Sequence, residues 1–199
     1  MIRAVIFDYG GVLGSSGNFY EDVGKFLSRS PSEIQEATKR LVPLFQRAEI
    51  GELEFWRYLS GALNVQLPSG YRSKLEEWYA RESFVNKEML ELADRLRVNG
   101  YKRAVLSNTL YPHLTNWKSK IQKHIPIIIA SCEVKMRKPE GRIFRLAMKR
   151  LELKTQEGIY IDDDEEFLRA GERMGLIPVH YINQQQVESE LENFGVNIR

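Results

Sequence analysis

Four consecutive apolar residues, Ala4-Val5-Ile6-Phe7, run into an acid, Asp8, and then into Gly10-Gly11. A short unbroken apolar run suits a strand buried on both faces of a parallel sheet, not one with a wet face. Helices must then cover both sides of that sheet, so the stretch points to an α/β design. The glycines allow a sharp turn and a close approach of ligand to backbone. An acid at the carboxyl end of a buried strand lies where open α/β sheets bind ligands. Asp8 is equally readable as a solvated turn residue, and the stretch alone does not separate the two readings.

The chain downstream supplies the rest of the sheet. Met89, Leu90, Ala93 and Leu96 line a helix stopping at Gly100, followed by a strand over Arg103 to Leu106 that ends on Ser107-Asn108-Thr109. A strand follows over Ile125 to Ala130, then a helix carrying Ile143, Phe144, Ala147 and Leu151. Gly158 to Ile161 reads as a strand ending on Asp162-Asp163-Asp164, Phe167, Ala170 and Met174 as a helix closing at Gly175, Pro178 to Tyr181 as the last strand, and Val187 to Phe194 as a terminal helix. Alternating helices and strands imply crossovers and a parallel sheet with helices on both faces.

Between the first strand and this alternation the chain reads as helical. After the loop Gly14-Ser15-Ser16-Gly17, Ser30-Pro31-Ser32-Glu33 forms a start signal, with Ser30 as cap, Pro31 at the first helical position and Glu33 closing a capping box. Ile34, Ala37, Leu41, Leu44, Phe45 and Ala48 form one apolar stripe, in which Pro43 should kink or split the helix before Gly51 ends it. Phe55, Trp56 and Leu59, then Leu75, Trp78 and Tyr79, mark further amphipathic turns. Packing is the first reading of these aromatic stripes and a substrate wall the second. The expected organisation is an α/β core from residues 1–14 and 84–199 and a helical insert over 15–83.

The 199 residues suffice for one α/β domain with a modest insert and are short for two independent domains. Basic and acidic residues, 29 and 27, are spread along the chain with no Lys/Arg block, so nucleic acid is not an expected partner. The one cysteine, Cys132, has no partner for an internal disulfide, which fits a reducing compartment. The first strand begins near Met1 and Asp8 interrupts its apolar run, so no signal peptide is expected. Ile125 to Ala130 is too short to span a bilayer. A cytoplasmic protein without membrane contact is expected, as monomer or homodimer.

Three strands finish on polar clusters, at Asp8, Ser107-Asn108 and Asp162-Asp163, and in a parallel sheet these ends share one edge. Lys138-Pro139 precedes a helix and can enter the same crevice, with Pro139 suited to its first turn. Each cluster has an ordinary explanation: a strand-end cap for Ser107, a solvated lysine for Lys138, a first turn favoured by the helix dipole for Asp162 to Glu166. All four in this order at strand ends fit one site better. Two carboxylates 4 Å apart repel by about 4 kcal/mol at an effective dielectric near 20. A divalent cation relieves that, and Mg²⁺ favours carboxylate oxygens, waters and substrate phosphate. Lys138 would help to keep Asp8 ionised. An ionised Asp beside Mg²⁺ and Lys suits attack on a phosphoryl group. His113, His124 and His180 show no ligand spacing and read as surface or packing residues.

With these motifs in place, the sequence resembles the haloacid dehalogenase (HAD) superfamily of hydrolases over nearly its whole length. Phe7-Asp8-Tyr9-Gly10-Gly11-Val12-Leu13, Leu106-Ser107-Asn108-Thr109, Arg137-Lys138-Pro139 with Ile143-Phe144, and Ile161-Asp162-Asp163 look like its four motifs in order. The resemblance implies a Rossmann-like core with an α-helical cap inserted after the first motif. It implies a Mg²⁺-dependent phosphatase acting on a small phosphorylated metabolite through an aspartyl-phosphate. Asp8 would be the nucleophile, Ser107 and Asn108 would hold phosphate oxygens, and Lys138 would bridge nucleophile and phosphate. The metal would take Asp8, Asp163 and the carbonyl of Gly10.

Two positions depart from the family pattern. Gly10 stands where most phosphatases of the superfamily carry an Asp acting as general acid and base, a loss worth about 10²–10⁴ in rate. Phe167 stands where relatives usually have Asp or Asn, and it is not expected to orient Lys138 or a metal-bound water. Asp164 or Glu166 from the same turn are the replacements on offer. A degenerate, ligand-binding relative is therefore the alternative reading. A metal-free 2-haloacid dehalogenase is disfavoured by Asp162-Asp163.

Overall fold

The computed structural model describes residues 1–15, 17–81 and 84–199. Ser16 of the expected loop and Ser83 at the expected end of the insert lie outside the described residues. The first strand, β1 (Ala4–Phe7), is followed by α1 (Phe19–Leu27), α2 (Pro31–Thr38), α3 (Leu41–Gln46), α4 (Glu52–Leu63) and α5 (Lys74–Arg81). The alternation then runs α6 (Lys87–Val98), β2 (Lys102–Ser107), α7 (Tyr111–Gln122), β3 (Ile127–Ala130), α8 (Ser131–Val134), α9 (Gly141–Leu151), β4 (Gly158–Asp162), α10 (Glu165–Arg173), β5 (Ile177–His180) and α11 (Gln184–Asn193).

The five strands form one parallel sheet in the order β3-β2-β1-β4-β5. The strand that opens the chain is thus the central one, and all four of its side chains are buried. Its alternation sorts them between two apolar layers. Val5 and Phe7 join Leu92, Ala93, Trp117, Val187 and Leu191 from α6, α7 and α11, whereas Ala4 and Ile6 join Ile143, Phe144, Ala147 and Ala170 from α9 and α10. Chain order reverses across the β1–β4 boundary, because β2 and β3 lie on one side of β1 and β4 and β5 on the other. Ligands of such sheets bind outside the carboxyl ends at that switch point.

The helices α1 to α5 build a third apolar cluster from Val23, Leu27, Ile34, Phe45, Phe55, Trp56, Leu59, Leu75 and Tyr79. Among the described residues, Leu110, from the turn after β2, is the one from the α/β body that joins its buried set. Ser30 and Glu33 form the expected capping box, each side chain taking the other's backbone N–H. Trp56 is fully buried with Phe55 and Trp78 beside it, as packing predicts. Two expectations shift. Residue Pro126 carries no N–H, and β3 begins one residue after it instead of at Ile125. Pro139 lies outside α9, which starts at Gly141 with Glu140 as cap; the Lys138–Pro139 peptide is cis.

No helix among the described residues is long and apolar enough to cross a membrane. Truncating the side chain at the centre of the helical cluster, Trp56→Ala, is expected to cost about 3–5 kcal/mol by urea denaturation. A cost under about 1 kcal/mol would mean that the cluster is not a packed core.

Candidate active site

Pairing Phe7 with Ile161 sets Asp8 level with Asp162, and the Asp8 N–H donates to the Ile161 carbonyl at 2.9 Å. Asp8 and the last residue of β4 therefore face each other across the switch point. Into that gap comes Lys138, 1% exposed despite its charge. Its Nζ lies 2.9 Å from Asp8 Oδ1 and 2.7 Å from Asp162 Oδ2. Burial works against the ammonium, but the two carboxylates outweigh it and hold the Lys138 pKa above its ordinary value.

Asp8 is in the opposite position. Burial, only partly offset by Lys138 and reinforced by the charge of Asp162, pushes its carboxyl up to about 7. Asp163, the next residue along, is also raised by desolvation and by Asp162. Oxygens of Asp8, Asp162 and Asp163 all lie within 4.8 Å of one another, a spacing that can hold a metal ion. Asp162 is already engaged: besides Lys138, it accepts from the Tyr160 hydroxyl and from the Asp164 N–H. That leaves Asp8 and Asp163 as the carboxylates open to a cation.

The first turn is shaped around Asp163. Gly11 has φ +76°, and a Cβ there would sit 2.1 Å from Asp163 Oδ2. A side chain there would both strain the positive φ and push the Asp163 carboxylate away from the β1 turn. The turn is pinned from behind by Asn86, whose N–H donates to the Leu13 carbonyl and whose amide donates to the Val12 carbonyl and the Tyr181 hydroxyl.

Asp8, Gly10, Ser107, Asn108, Lys138 and Asp163 all line one cavity of about 780 Å³. Every site residue expected from the sequence is thus brought together. Asn108 also holds the neighbouring loop, since its Oδ1 accepts the Lys138 N–H at 2.8 Å and its Nδ2 donates to the Lys138 carbonyl at 3.0 Å. At most one amide hydrogen is left for a phosphate oxygen, so Asn108 acts chiefly as a clamp on the lysine loop. Phe167 corrects an expectation, because its ring centroid lies 4.7 Å from Lys138 Nζ. It does help to hold the lysine, by cation–π contact instead of by a carboxylate. Asp164 accepts the Glu166 N–H as cap of α10.

Three residues at or beside the cavity carry no role assigned from the sequence. Asp162 is the buried anchor of Lys138; its burial on the pleat face of Tyr160 was the available signal. Arg137 and His113 also line the cavity. His113 stacks on Tyr79 of α5 at 4.3 Å, meets the edge of Tyr9 at 5.4 Å and contacts Thr109 Oγ1 at 3.3 Å. It joins the helical insert to the first turn. His124, 2.7 Å from Asp94, and His180, beside the Asp163 carbonyl, have no part in the cavity.

The family description that matches residues 2–175 of the chain is a haloacid dehalogenase-like hydrolase. The chain belongs to that family. Among curated relatives it is 28% identical over 204 residues to acyl-CoA dehydrogenase family member 10 of Mus musculus, covering 96% of this chain and 19% of that protein. The chain spans about a fifth to two fifths of the length of the curated relatives it matches. The structure of a predicted HAD-like family hydrolase from Porphyromonas gingivalis superposes with a TM-score of 0.77 at 21% identity, over 98% of both chains. A HAD family enzyme from Bacteroides thetaiotaomicron, solved with magnesium and inorganic phosphate, gives a TM-score of 0.73 at 20% identity over 92% of this chain and 95% of its own.

Burial pushes the His113 pKa down to about 4 from 6.5. The unfolded chain therefore takes up this proton first, and stability falls as pH drops from about 6.5 toward 4. At 1.36 kcal/mol per unit the group accounts for at most about 3 kcal/mol of acid sensitivity. Chemical denaturation across this range should give a shallower decline for His113→Gln than for the parent protein. Parallel profiles would show that the ring is not held neutral.

Proposed function

We propose that this chain is a Mg²⁺-dependent phosphohydrolase that takes a phosphoryl group from a small phosphorylated metabolite onto Asp8. The observation that carries this reading is the convergence of Asp8, Asp163 and Lys138 on one cavity at the switch point of the sheet. Charge supports it. Three carboxylates and one ammonium leave two negative charges, which a single divalent cation balances. The donor set also fits Mg²⁺: Asp8 and Asp163 offer hard oxygen ligands, and the Gly10 carbonyl is the third protein ligand in this proposal. When bound, the ion would screen the carboxylates from an incoming phosphate and withdraw charge from its oxygens.

Asp8 attacks phosphorus, an O–P bond forms to the carboxylate, and the bond from phosphorus to the ester oxygen breaks. Ser107 donates its hydroxyl to a phosphoryl oxygen, and Lys138 balances charge between nucleophile and phosphate. Water then attacks phosphorus of the aspartyl-phosphate, releasing phosphate and regenerating Asp8. The ester oxygen leaves without a proton from position 10, because glycine has none to give. Good leaving groups, as in aryl or sugar-1-phosphates, are therefore favoured. The helices α1 to α5, residues 15–83 in this division of the chain, act as the cap. Gly17, Phe19, Tyr20, Val42, Gln46 and Tyr79 carry its wall of the cavity. A cytoplasmic location belongs to the same reading.

The competing reading, a ligand-binding relative without turnover, rests on Gly10 and Phe167. The contact of Phe167 with Lys138 weakens it, since Asp8, Asp162 and this ring hold the lysine without an acid at position 167. One experiment separates them. With Mg²⁺ the chain is expected to hydrolyse 4-nitrophenyl phosphate faster than alkyl phosphates, to stop on chelation, and to lose at least about 10³-fold of its rate in Asp8→Asn. Turnover that survives Asp8→Asn, or no Mg²⁺-dependent turnover of any phosphate ester, would overturn the proposal.

A further inference from the structure

Arg137 is a cation in the cavity that forms no ion pair among the described residues. It is half-buried and lines the same space as Asp8, Ser107 and Lys138. Its Nε donates to Gln46 Oε1 at 2.9 Å, which ties the lysine loop to the end of α3. No carboxylate among the described residues lies within ion-pair distance of its guanidinium. Three of the acids around it are engaged elsewhere. Glu140 serves Arg47 Nη1 at 3.3 Å and Arg142 Nε at 2.6 Å. Asp164 caps α10, and Glu165 lies 3.4 Å from Arg169. Glu140, Glu166 and Tyr20 act on Arg137 only through space, while burial and the charge of Arg47 oppose its ionisation.

Arginine keeps its charge regardless. A half-buried guanidinium without a counterion is unfavourable unless something in the cavity supplies one. Lys138, in contrast, is satisfied by Asp8 and Asp162. With Nε on Gln46, the two terminal amino groups of Arg137 present the edge that takes an oxyanion through two parallel hydrogen bonds. The cavity, about 780 Å³, has room for more than one phosphate.

We propose that Arg137 is a specificity residue that receives a second anionic group on the substrate, a carboxylate or a second phosphate, remote from the phosphoryl group that meets Asp8. This rests on reading the cavity as a phosphate-ester site. The preferred substrate is then a phosphate ester with an acidic tail, not a neutral sugar or alcohol phosphate.

The test is binding of non-hydrolysable phosphonates by calorimetry with Mg²⁺ present. The set is alkylphosphonates with tails of two to four carbons, each beside its counterparts ending in a carboxylate or in a second phosphonate. In the parent protein at least one acid-tailed compound should bind about 10- to 100-fold more tightly than its alkyl counterpart, as a charge-assisted bidentate pair implies. The better tail identifies the anion. In both Arg137→Ala and Arg137→Gln the gap should shrink to within about threefold. Arg137→Gln removes the charge while keeping an amide to bond Gln46. No gap in the parent at any tail length would overturn the proposal. So would a gap that persists in either variant, or equal losses for acidic and alkyl tails, which would make Arg137 a tether between α3 and the lysine loop only. If the gap and its loss appear while no phosphate ester is hydrolysed, the hydrolase reading fails and the anion site stands.

Discussion

A lysine buried between two aspartates organises this molecule. Lys138 Nζ is within 3 Å of both Asp8 and Asp162, which end adjacent strands on either side of the switch point. Neither partner tolerates loss of the other, because an uncompensated buried charge costs about 3–5 kcal/mol. Much of the surrounding structure holds this contact in place. Asn108 clamps the lysine backbone, Phe167 covers the ammonium, and Tyr160 and the Asp164 N–H satisfy Asp162. Burial, which Lys138 only partly offsets and the charge of Asp162 reinforces, pushes the Asp8 carboxyl up to about 7, and burial raises Asp163 beside it. Their oxygens lie within 4.8 Å of each other, a spacing that can hold a metal ion.

The sheet was legible because a strand buried on both faces has few other readings. Ala4 to Phe7 is such a strand, and its acid falls where crossover topology puts ligands. Motif order then pointed to Ser107, Lys138 and Asp163, which line the same cavity. What was not legible depends on contacts between distant elements. Two successive acids, Asp162 and Asp163, look alike in sequence, yet the pleat turns one inward to Lys138 and leaves the other open. Phe167 reads as an apolar helix position, since the ammonium above it comes from another loop. His113 has no partner nearby in the chain; Tyr9 and Tyr79 reach it from the first turn and from α5. Pro139 suited a first helical turn on local grounds, but Glu140 takes the cap and moves the helix start to Gly141.

The helical insert contributes shape where the sheet contributes charge. Its own core is closed by Phe55, Trp56 and Leu59, so it can hold its form while resting on the α/β body. It meets the body near the cavity through Tyr79 on His113, Gln46 on Arg137 and Arg47 on Glu140. Two of these three links are to the loop that carries Lys138. The end of α3 is thus tied to the chain one and two residues from the lysine, so the helical wall of the cavity and the lysine loop share contacts.

The most direct test of the central claim is a crystal soaked in Mn²⁺, with the ion located by its anomalous scattering. The expected result is one peak bridging the carboxylates of Asp8 and Asp163, with Lys138 still between Asp8 and Asp162. A peak elsewhere, no peak at saturating Mn²⁺, or an ion that displaces Lys138 from Asp162 would contradict it.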